Sequence, residues 1–342
     1  MLKITKFLAV SFVLSFPLFA QAQAQEQTNF YHGRTIKVIV GTGVGGGYDL
    51  YARLLTRHLG KHIPGSPSFI VQHMPGASGI KAVNFLYSAA PKDGTTFSTF
   101  NNSMPIYQAT NQPGIQFKTE ELTWIGSMSK LVNVVAVWHT TGAKTIEDAK
   151  RIEIVMGATG AGGTMAGYPT LLNNTLGTKF KVVTGYEGGN TINLAMERGE
   201  VQGRGNLSWS SIHSVKPDWL SENKIIPIVQ IGPQKEKDLP HVPLLAELAQ
   251  NDEQRQVFEF VSAVNAIERP FAGPPGVPKN RLDLLRRGFD MTMKDLAFID
   301  ESAKQDIQID HSSGEDVEKL ILQLAAVPPA IVAKTQAALG GY

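Results

Sequence analysis

Residues 41–49 read Gly-Thr-Gly-Val-Gly-Gly-Gly-Tyr-Asp, a glycine-rich loop that joins a predicted strand to a predicted helix. The strand is the apolar run at residues 36–40, and the helix is the periodic segment at residues 49–59, which ends at Gly60. Glycine accepts positive φ and lets a ligand approach the backbone closely. Because free N–H groups converge at a helix N-terminus, this loop predicts a site for an anionic small molecule.

Two other interpretations of this loop remain open. The same residues fit the dinucleotide fingerprint G-x-G-x-x-G, which needs an acidic residue after the next strand to hold the ribose. The next predicted strand, at residues 68–72, is followed by His73-Met74-Pro75 and not by an acid, which disfavours a nucleotide. The structural alternative is a glycine-rich turn that binds nothing.

The first 24 residues have the pattern of a signal peptide. Lys3 and Lys6 form a basic region, residues 7–19 are apolar but too few to span a membrane, and two overlapping Ala-x-Ala cleavage sequences follow. The chain has no cysteine, which excludes a lipoprotein anchor, disulfides, thiol nucleophiles and zinc–thiolate sites. We therefore expect an exported, periplasmic protein that is not a lipoprotein.

Charge and histidine spacing exclude several classes of partner. Of 32 basic residues, two belong to the predicted signal peptide, which leaves 30 basic residues against 30 acidic ones. Such a balanced chain has no broad basic field for nucleic acid or an anionic membrane. His32, His58, His62 and His73 lack the spacing of metal ligands, so we predict neither a metal nor a cofactor.

Strands and helices alternate through most of the chain, which predicts α/β layers. The predicted strands lie at residues 36–40, 68–72, 95–100, 133–138, 152–158, 180–184, 201–206 and 225–231. Helices are predicted between them at residues 49–59, 78–89, 146–151, 169–176 and 191–198. The length of the mature chain favours two domains over one.

The proline- and glycine-rich segment 270–278 marks a change in character, because only helices are predicted after it. Helices without strands of their own are expected to pack back on the first sheet. We therefore predict a discontinuous lobe I, residues 25–131 plus 262–342, and a lobe II, residues 132–261. The chain would cross between the two lobes twice at a hinge.

The glycine-rich loop recurs twice in the predicted second lobe. Residues 159–164 follow the strand at 152–158, and residues 185–190 follow the strand at 180–184. In open α/β sheets, ligands lie outside the carboxyl ends of the strands. Loops from two lobes would therefore close on a small carboxylate from both sides, although glycines that merely permit tight turns remain the simpler alternative.

Three consecutive blocks match one family pattern, at residues 45–53, 73–79 and 90–95, and later blocks match at residues 185–188, 197–201 and 272–278. In their order and spacing, from about Arg34 to the C-terminus, they resemble the extracytoplasmic solute receptors of tripartite tricarboxylate transporters, the Bug or TctC-type family. The resemblance implies a type II periplasmic-binding-protein fold with two lobes, called a Venus flytrap. It also implies a receptor that binds an organic acid and delivers it to inner-membrane permease subunits.

The resemblance assigns the first ligand loop to residues 42–49, a second-lobe loop to residues 159–164, and a third loop to residues 186–188. The chain departs from the family at Gly43-Val44, where many members have two prolines, and at Glu187, where many have lysine. An acidic residue at that position weakens the case for a highly charged tricarboxylate and favours a mono- or dicarboxylate. The alternative is that its side chain points away from the cleft.

Polar side chains at predicted strand ends complete the candidate site. Asn101, Asn102 and Ser103 follow one strand and are also common turn formers. Arg204 is suited to a bidentate carboxylate contact or to a surface ion pair, and Trp209 to a cleft wall or to the core. The candidate binding residues are Thr42, Gly43, Val44, Gly45, Gly46, Tyr48, Asn101, Asn102, Ser103, Thr159, Gly160, Ala161, Gly162, Gly163, Thr164, Tyr186, Glu187, Gly188, Arg204, Asn206 and Trp209.

Asp49 stands beside this predicted anion site, and we interpret it as a structural residue at the positive end of the helix dipole. The chain has no G-x-S-x-G elbow and no cysteine, so we do not predict an enzyme. We predict a monomeric, hinge-bending receptor in which both lobes contact the ligand. An exported hydrolase whose site forms only in space is one alternative. A sensory receptor for the same acid is the other, because it shares every feature above.

Overall fold

The computed structural model describes residues 30–130 and 132–341, and the predicted signal peptide lies outside these residues. Strands β1 to β11 span Thr35–Val40, Ser68–His73, Thr96–Thr99, Thr123–Ser127, Asn133–Trp138, Ile154–Ala158, Phe180–Thr184, Gly203–Ser208, Ile225–Ile231, Pro270–Gly273 and Ser312–Ser313. The α-helices span Gly47–Leu59, Ile80–Ser88, Met104–Ala109, Ile146–Ala149, Thr164–Leu176, Gly189–Glu197, Trp209–Val215, Pro217–Ser221, Asp252–Ala263, Lys279–Met293, Leu296–Lys304, Gly314–Ala325 and Pro329–Ala338.

The first sheet has the strand order β11-β4-β10-β3-β1-β2. Strand β1 lies parallel to both β2 and β3, whereas β10 runs antiparallel to β3 and β4. Val38 at its centre pairs with Val71 on one side and Phe97 on the other. Helices Gly47–Leu59 and Lys279–Met293 bury their apolar faces on this sheet. The carboxyl ends of its parallel strands therefore share one edge.

The second sheet has the strand order β7-β6-β8-β5-β9. Strand β6 runs parallel to β7 and β8, whereas β5 runs antiparallel to β8 and β9. Alternate residues of β5 enter separate cores, because side chains alternate across a strand. Val134 packs in the core with Trp219, while Val135 packs in the core on the opposite face with Phe258. Both faces of this sheet are thus covered.

The chain crosses between the sheets after β4 and returns before β10. The two crossing segments are hydrogen-bonded to each other, Met128 N–H to the Arg269 carbonyl at 3.0 Å and Glu268 N–H to the Ser129 carbonyl at 2.9 Å. Such adjacent crossings are the points about which two lobes can rotate. The predicted fold class, α/β with two lobes and two hinge crossovers, is confirmed.

Several features differ from the sequence-based expectations, which included neither β4 at Thr123–Ser127 nor β11 at Ser312–Ser313, in a part of the chain where only helices were predicted. Strand β10 lies inside the proline-rich segment that was expected to contain no strand, and Pro270 is tolerated there because it is the first residue of the strand. The last helix, Pro329–Ala338, packs against Asp252–Ala263 and Thr164–Leu176. It therefore belongs to the core of the second sheet and does not pack back on the first.

No single helix among the described residues is long and apolar enough to cross a membrane. Helices Gly314–Ala325 and Pro329–Ala338 reach the required length and hydropathy only as a pair, and they are bent by 87° where they meet.

Candidate functional site

A cavity of about 530 Å³ lies between the two sheets and is lined by residues of both. Its wall includes Gly41 after β1, Pro75 after β2, Asn101 after β3, Thr159 after β6 and Gly185 after β7. All five positions lie just beyond the carboxyl ends of their strands, where open α/β sheets place their ligands. The segments that follow these strands of both sheets therefore meet at one site.

Many of the predicted residues meet at this cavity, and the others do not. Those that line it are Thr42, Gly43, Val44, Gly46, Tyr48, Asn101, Thr159, Tyr186, Glu187, Gly188, Arg204 and Asn206. Those that lie outside the lining are Gly45, Asn102, Ser103, Gly160, Ala161, Gly162, Gly163, Thr164 and Trp209. Lining residues that the sequence analysis missed include Ser78, Asn133, Asn190, Asn193, Ser211, Glu268 and Arg269.

The first loop is fixed by Asp49, which is buried at the start of helix Gly47–Leu59. Its carboxylate accepts hydrogen bonds from the Gly45 N–H at 2.8 Å and from His73 Nε2 at 2.8 Å, and it pairs with Arg53 Nε at 2.8 Å. Burial acts to raise the pKa of Asp49, but these three partners hold it below its usual range. The predicted structural role of Asp49 agrees with this geometry.

Another loop of the first lobe, residues 76–79, lines the cavity beside the loop at residues 42–49. All four residues have positive φ, including the non-glycine residues Ala77 (46°) and Ser78 (56°). Consecutive residues in this region are rare and tend to occur at functional sites. The sequence signal was the Pro-Gly-Ala-Ser-Gly block of the family resemblance, from which no site residue was assigned.

The second-lobe loop 159–164 mainly contacts the other lobe. The Gly162 carbonyl accepts a hydrogen bond from the Gln112 side chain, and a Cβ on Gly163 would lie 2.1 Å from Ser78 Oγ. Thr164 is buried, and its Oγ1 accepts a hydrogen bond from Asn206 Nδ2 at 2.7 Å. Only Thr159 of this loop lines the cavity, and these glycines permit close contact between lobes.

The third loop, residues 185–190, faces the first loop across the cavity. A Cβ on Gly188 would lie 3.5 Å from the Gly43 backbone nitrogen, and a Cβ on Gly45 would lie 2.7 Å from Asn190 Nδ2. The two lobes therefore contact each other at this rim, and the structure is the closed form of a two-lobed protein. Glu187 is exposed, although it contributes to the lining.

Charged side chains form another part of the wall. Glu268 and Arg269 are 3% and 2% exposed and make a buried ion pair where the chain re-enters the first sheet. Asn133 Nδ2 donates to Glu268 Oε2 at 3.0 Å. Arg204 lies in the wall as well and donates through Nη1 to Asn193 Oδ1 at 3.1 Å. The sequence analysis predicted Arg204 but missed the ion pair.

One predicted residue contacts the hinge segment, and two others are buried. Asn102 Nδ2 donates to the Val264 carbonyl at 2.8 Å and to Asn265 Oδ1 at 3.0 Å, and the neighbouring Ser103 is fully buried. Trp209 is 5% exposed in the core of the second sheet, where its Nε1 donates to Asp238 Oδ2 at 2.8 Å. Trp209 therefore does not form the cleft wall.

Several buried polar atoms of cavity-lining residues lack a hydrogen-bond partner among the described residues. They are Thr42 Oγ1, Asn133 Oδ1, Arg204 Nε and Arg269 Nε. Unpaired buried polar atoms are costly, and each of these four atoms is buried in the cavity wall. Among all the residues that the structure describes, no cluster of three or more His, Cys, Asp or Glu side chains has a geometry suited to a metal ion.

No protein-family model matches the chain. Among curated proteins, it is 24% identical over 279 residues to a UPF0065 protein of Cupriavidus necator, covering 80% of each chain. It is 25% identical over 177 residues to a UPF0065 protein of Bordetella bronchiseptica, covering 50% of this chain and 52% of the relative.

Solved structures share the fold across most of the chain. An R. palustris protein solved with adipate matches 90% of this chain and 98% of its own, with a TM-score of 0.68 and 19% identity. The binding protein BugD matches 90% and 98%, with a TM-score of 0.70 and 16% identity. A TctC solute-binding protein from Polaromonas matches 89% and 99%, with a TM-score of 0.58 and 19% identity. The chain therefore has the two-lobed fold of these periplasmic binding proteins.

Proposed function

We propose that this protein is a periplasmic receptor that encloses a small organic acid between its two lobes and delivers it to permease subunits of a tripartite transporter. The observation that carries the proposal is the cavity of about 530 Å³, which is lined from both lobes in a closed structure. A cavity of this size suits a small metabolite. Ligand contacts from both lobes would add to the free energy that favours the closed state.

The chemistry of the wall favours a carboxylate. Helices Gly47–Leu59 and Gly189–Glu197 both begin at the cavity, and the first N–H groups of a helix have no partner within it. These N–H groups and the helix dipole attract anions. Arg204 adds a guanidinium, whose planar fork matches a carboxylate.

The neutral polar groups of the wall favour a small acid over a highly charged one. Asn101, Asn206 and Thr42 offer amide and hydroxyl groups, whereas Glu268 and Glu187 add negative charge. A tricarboxylate would meet repulsion from these acids, so a mono- or dicarboxylate fits the wall better. The R. palustris protein of the same fold, which was solved with adipate, supports this ligand class.

A thermal-shift screen tests the proposal. Acetate, succinate, adipate, malate, citrate and benzoate would each be added to the mature protein, with the neutral methyl ester of each acid as the matched control. A ligand at 100 times its dissociation constant stabilises the folded state by about 2.7 kcal/mol, so at least one acid should raise the melting temperature while its ester should not. Equal shifts for acids and esters, or no shift with any acid, would contradict a carboxylate receptor.

Delivery to a permease separates transport from sensing. Cells that lack this protein should lose uptake of the radiolabelled acid that binds the purified protein, and the gene on a plasmid should restore it. Normal uptake in the deletion strain, together with loss of a transcriptional response to the acid, would favour the sensory alternative. Fractionation with N-terminal sequencing of the mature protein tests the periplasmic location.

A further inference from the structure

We propose that Arg204 and Arg269 together form a subsite for a second anionic group of the ligand. This inference rests on the proposed carboxylate receptor and names its ligand as a dianion. One anionic group would be held by the glycine-rich loops and the other by the two arginines. Arg269 was not among the residues predicted from the sequence, and its role follows from the fold alone.

Arg269 is fixed in place by contacts on several sides. Its Nη2 donates to Ser211 Oγ at 2.8 Å, and its Nη1 pairs with the Glu268 carboxylate. The guanidinium lies over the Tyr48 ring, 4.5 Å from the ring centroid, and 5.0 Å from that of Tyr51. A side chain held in this way can bind without a further loss of conformational freedom.

Arg204 is held only by a neutral partner. Its Nη1 donates to Asn193 Oδ1, and its guanidinium packs against Gly189, where a Cβ would lie 2.6 Å from Nη2. No carboxylate lies within ion-pair distance of Arg204 in the described part of the chain. A half-buried guanidinium at a cavity wall without a counter-charge indicates that an anion is its missing partner.

The carboxylates of the wall leave Arg204 without an ion-pair partner. The lining holds two guanidinium groups and two carboxylates, but Glu268 is already occupied by Arg269 and Asn133, and the exposed Glu187 forms no ion pair with Arg204 among the described residues. Arg269 also touches the start of helix Gly47–Leu59, since a Cβ on Gly47 would lie 2.9 Å from its Nη2. Each arginine thus lies near the positive end of a helix, where a cation is unfavourable and an anion is stabilised.

The pKa of Arg204 agrees with a guanidinium that has no paired carboxylate. Burial, and then the charge of Arg269, lowers the pKa of Arg204 to about 10, while Glu268 opposes the change. Arg204 remains charged at neutral pH, but at an electrostatic cost that an anion between the two guanidinium groups would relieve. A neutral ligand group between the two guanidinium groups would not reduce this electrostatic cost.

Calorimetry with matched ligands tests the subsite. Succinate, glutarate and adipate would each be compared with its own monoamide, which keeps the shape and one carboxylate but removes the second charge. For the dicarboxylate that fits, the wild-type protein should bind the diacid roughly 10- to 100-fold more tightly than the monoamide, as a charge-assisted hydrogen bond predicts. Arg204→Gln and Arg269→Gln should each bring this ratio close to one.

Two further variants keep the test independent of folding. Arg269→Gln leaves Glu268 buried without its partner, so the Glu268→Gln/Arg269→Gln pair removes both charges together. Arg281 also stacks on an aromatic ring, 3.7 Å from the Phe30 centroid, but it does not line the cavity. Arg281→Gln is therefore the matched control and should keep the wild-type ratio.

The outcomes separate the subsite from the receptor function. Equal binding of diacids and monoamides by the wild-type protein would overturn the subsite and leave a monocarboxylate receptor. An unchanged ratio in folded Arg204→Gln protein would overturn it as well, whatever the stability of the Arg269 variants. Binding of neither ligand type, together with no shift for any acid in the thermal-shift screen, would instead overturn the proposed function.

Discussion

The Ser78 hydroxyl lies 3.1 Å from the Thr159 hydroxyl, and this hydrogen bond joins the first lobe to the second at the rim of the cavity. Ser78 follows β2 of the first sheet, and Thr159 follows β6 of the second. The contact can therefore exist only when the lobes are closed. It contributes to the free energy of closure and not to the stability of either lobe alone.

A double-mutant cycle on this contact is the first prediction. Ser78→Ala and Thr159→Val should each weaken ligand binding about two- to tenfold, because a neutral hydrogen bond contributes roughly 0.5–1.5 kcal/mol. The two losses should not add, since either change alone breaks the bond. Fully additive losses measured by calorimetry would show that the contact does not contribute to closure.

Gly163→Ala should prevent closure. The new Cβ would lie 2.1 Å from Ser78 Oγ and 2.8 Å from Ser78 Cβ, so the second lobe would have to stay back. We expect at least tenfold weaker binding and, in small-angle scattering, no compaction when the ligand is added. Gly142→Ala is the control: its φ of +75° should make the variant less stable, but closure should be unaffected because no atom lies within 4 Å of the added Cβ. Compaction of Gly163→Ala to the wild-type radius would contradict this prediction.

Trp209→Phe should change stability and not affinity. The indole is buried in the core of the second sheet, and its N–H donates to Asp238. Removing the donor leaves a carboxylate with one partner fewer, and the smaller ring leaves a space, so urea denaturation should show a loss of roughly 1–3 kcal/mol. A clear change in ligand selectivity would mean that Trp209 reaches the ligand after all.

Asp49→Asn should destabilise the protein in a pH-dependent way. The pKa of Asp49 is lower in the folded chain than in the unfolded one, so its contribution is present above the unfolded pKa of about 4 and is lost as pH falls through the folded value. The variant should lose roughly 1–3 kcal/mol at neutral pH, and this difference should shrink in acid. Urea denaturation of the variant and the wild-type protein, at neutral and at acidic pH, measures this difference in stability.

An exposed carboxylate provides the control for that experiment. Asp300 pairs with Lys304 at 2.6 Å on the surface of helix Leu296–Lys304, where such pairs contribute little. Asp300→Asn should therefore change stability by less than about 1 kcal/mol at either pH. A constant loss in Asp49→Asn across the pH range would show that its charge is not what stabilises the loop.

Local patterns in the sequence predicted most strands and the three glycine-rich loops, because strand periodicity and turn chemistry are encoded by adjacent residues. They did not predict β10, which is buried between β3 and β4 although its segment is rich in proline and glycine. The sequence likewise provided no indication that Glu268 and Arg269, which directly precede β10, belong to the site. A charged pair normally lies at the surface, and only the long-range placement of β10 turns it into a cavity wall.

The glycine-rich loops also show why the cavity and the lobe contacts could not be told apart in advance. Residues 159–164 were predicted to bind ligand, yet most of them face the other lobe. Glycine permits close approach of any neighbour, whether it is a ligand or another segment of the chain. Which neighbour approaches depends on the closed arrangement of two lobes, and a local pattern carries no information about that.

The contacts of Asp49 all lie within the first lobe, since Gly45, His73 and Arg53 belong to it. Opening of the lobes therefore leaves this loop in its shape. The entropy of ordering it is lost once, during folding, and not each time a ligand arrives. Capture by the open form should consequently be fast for many acids, and discrimination among them should appear in how long each one stays.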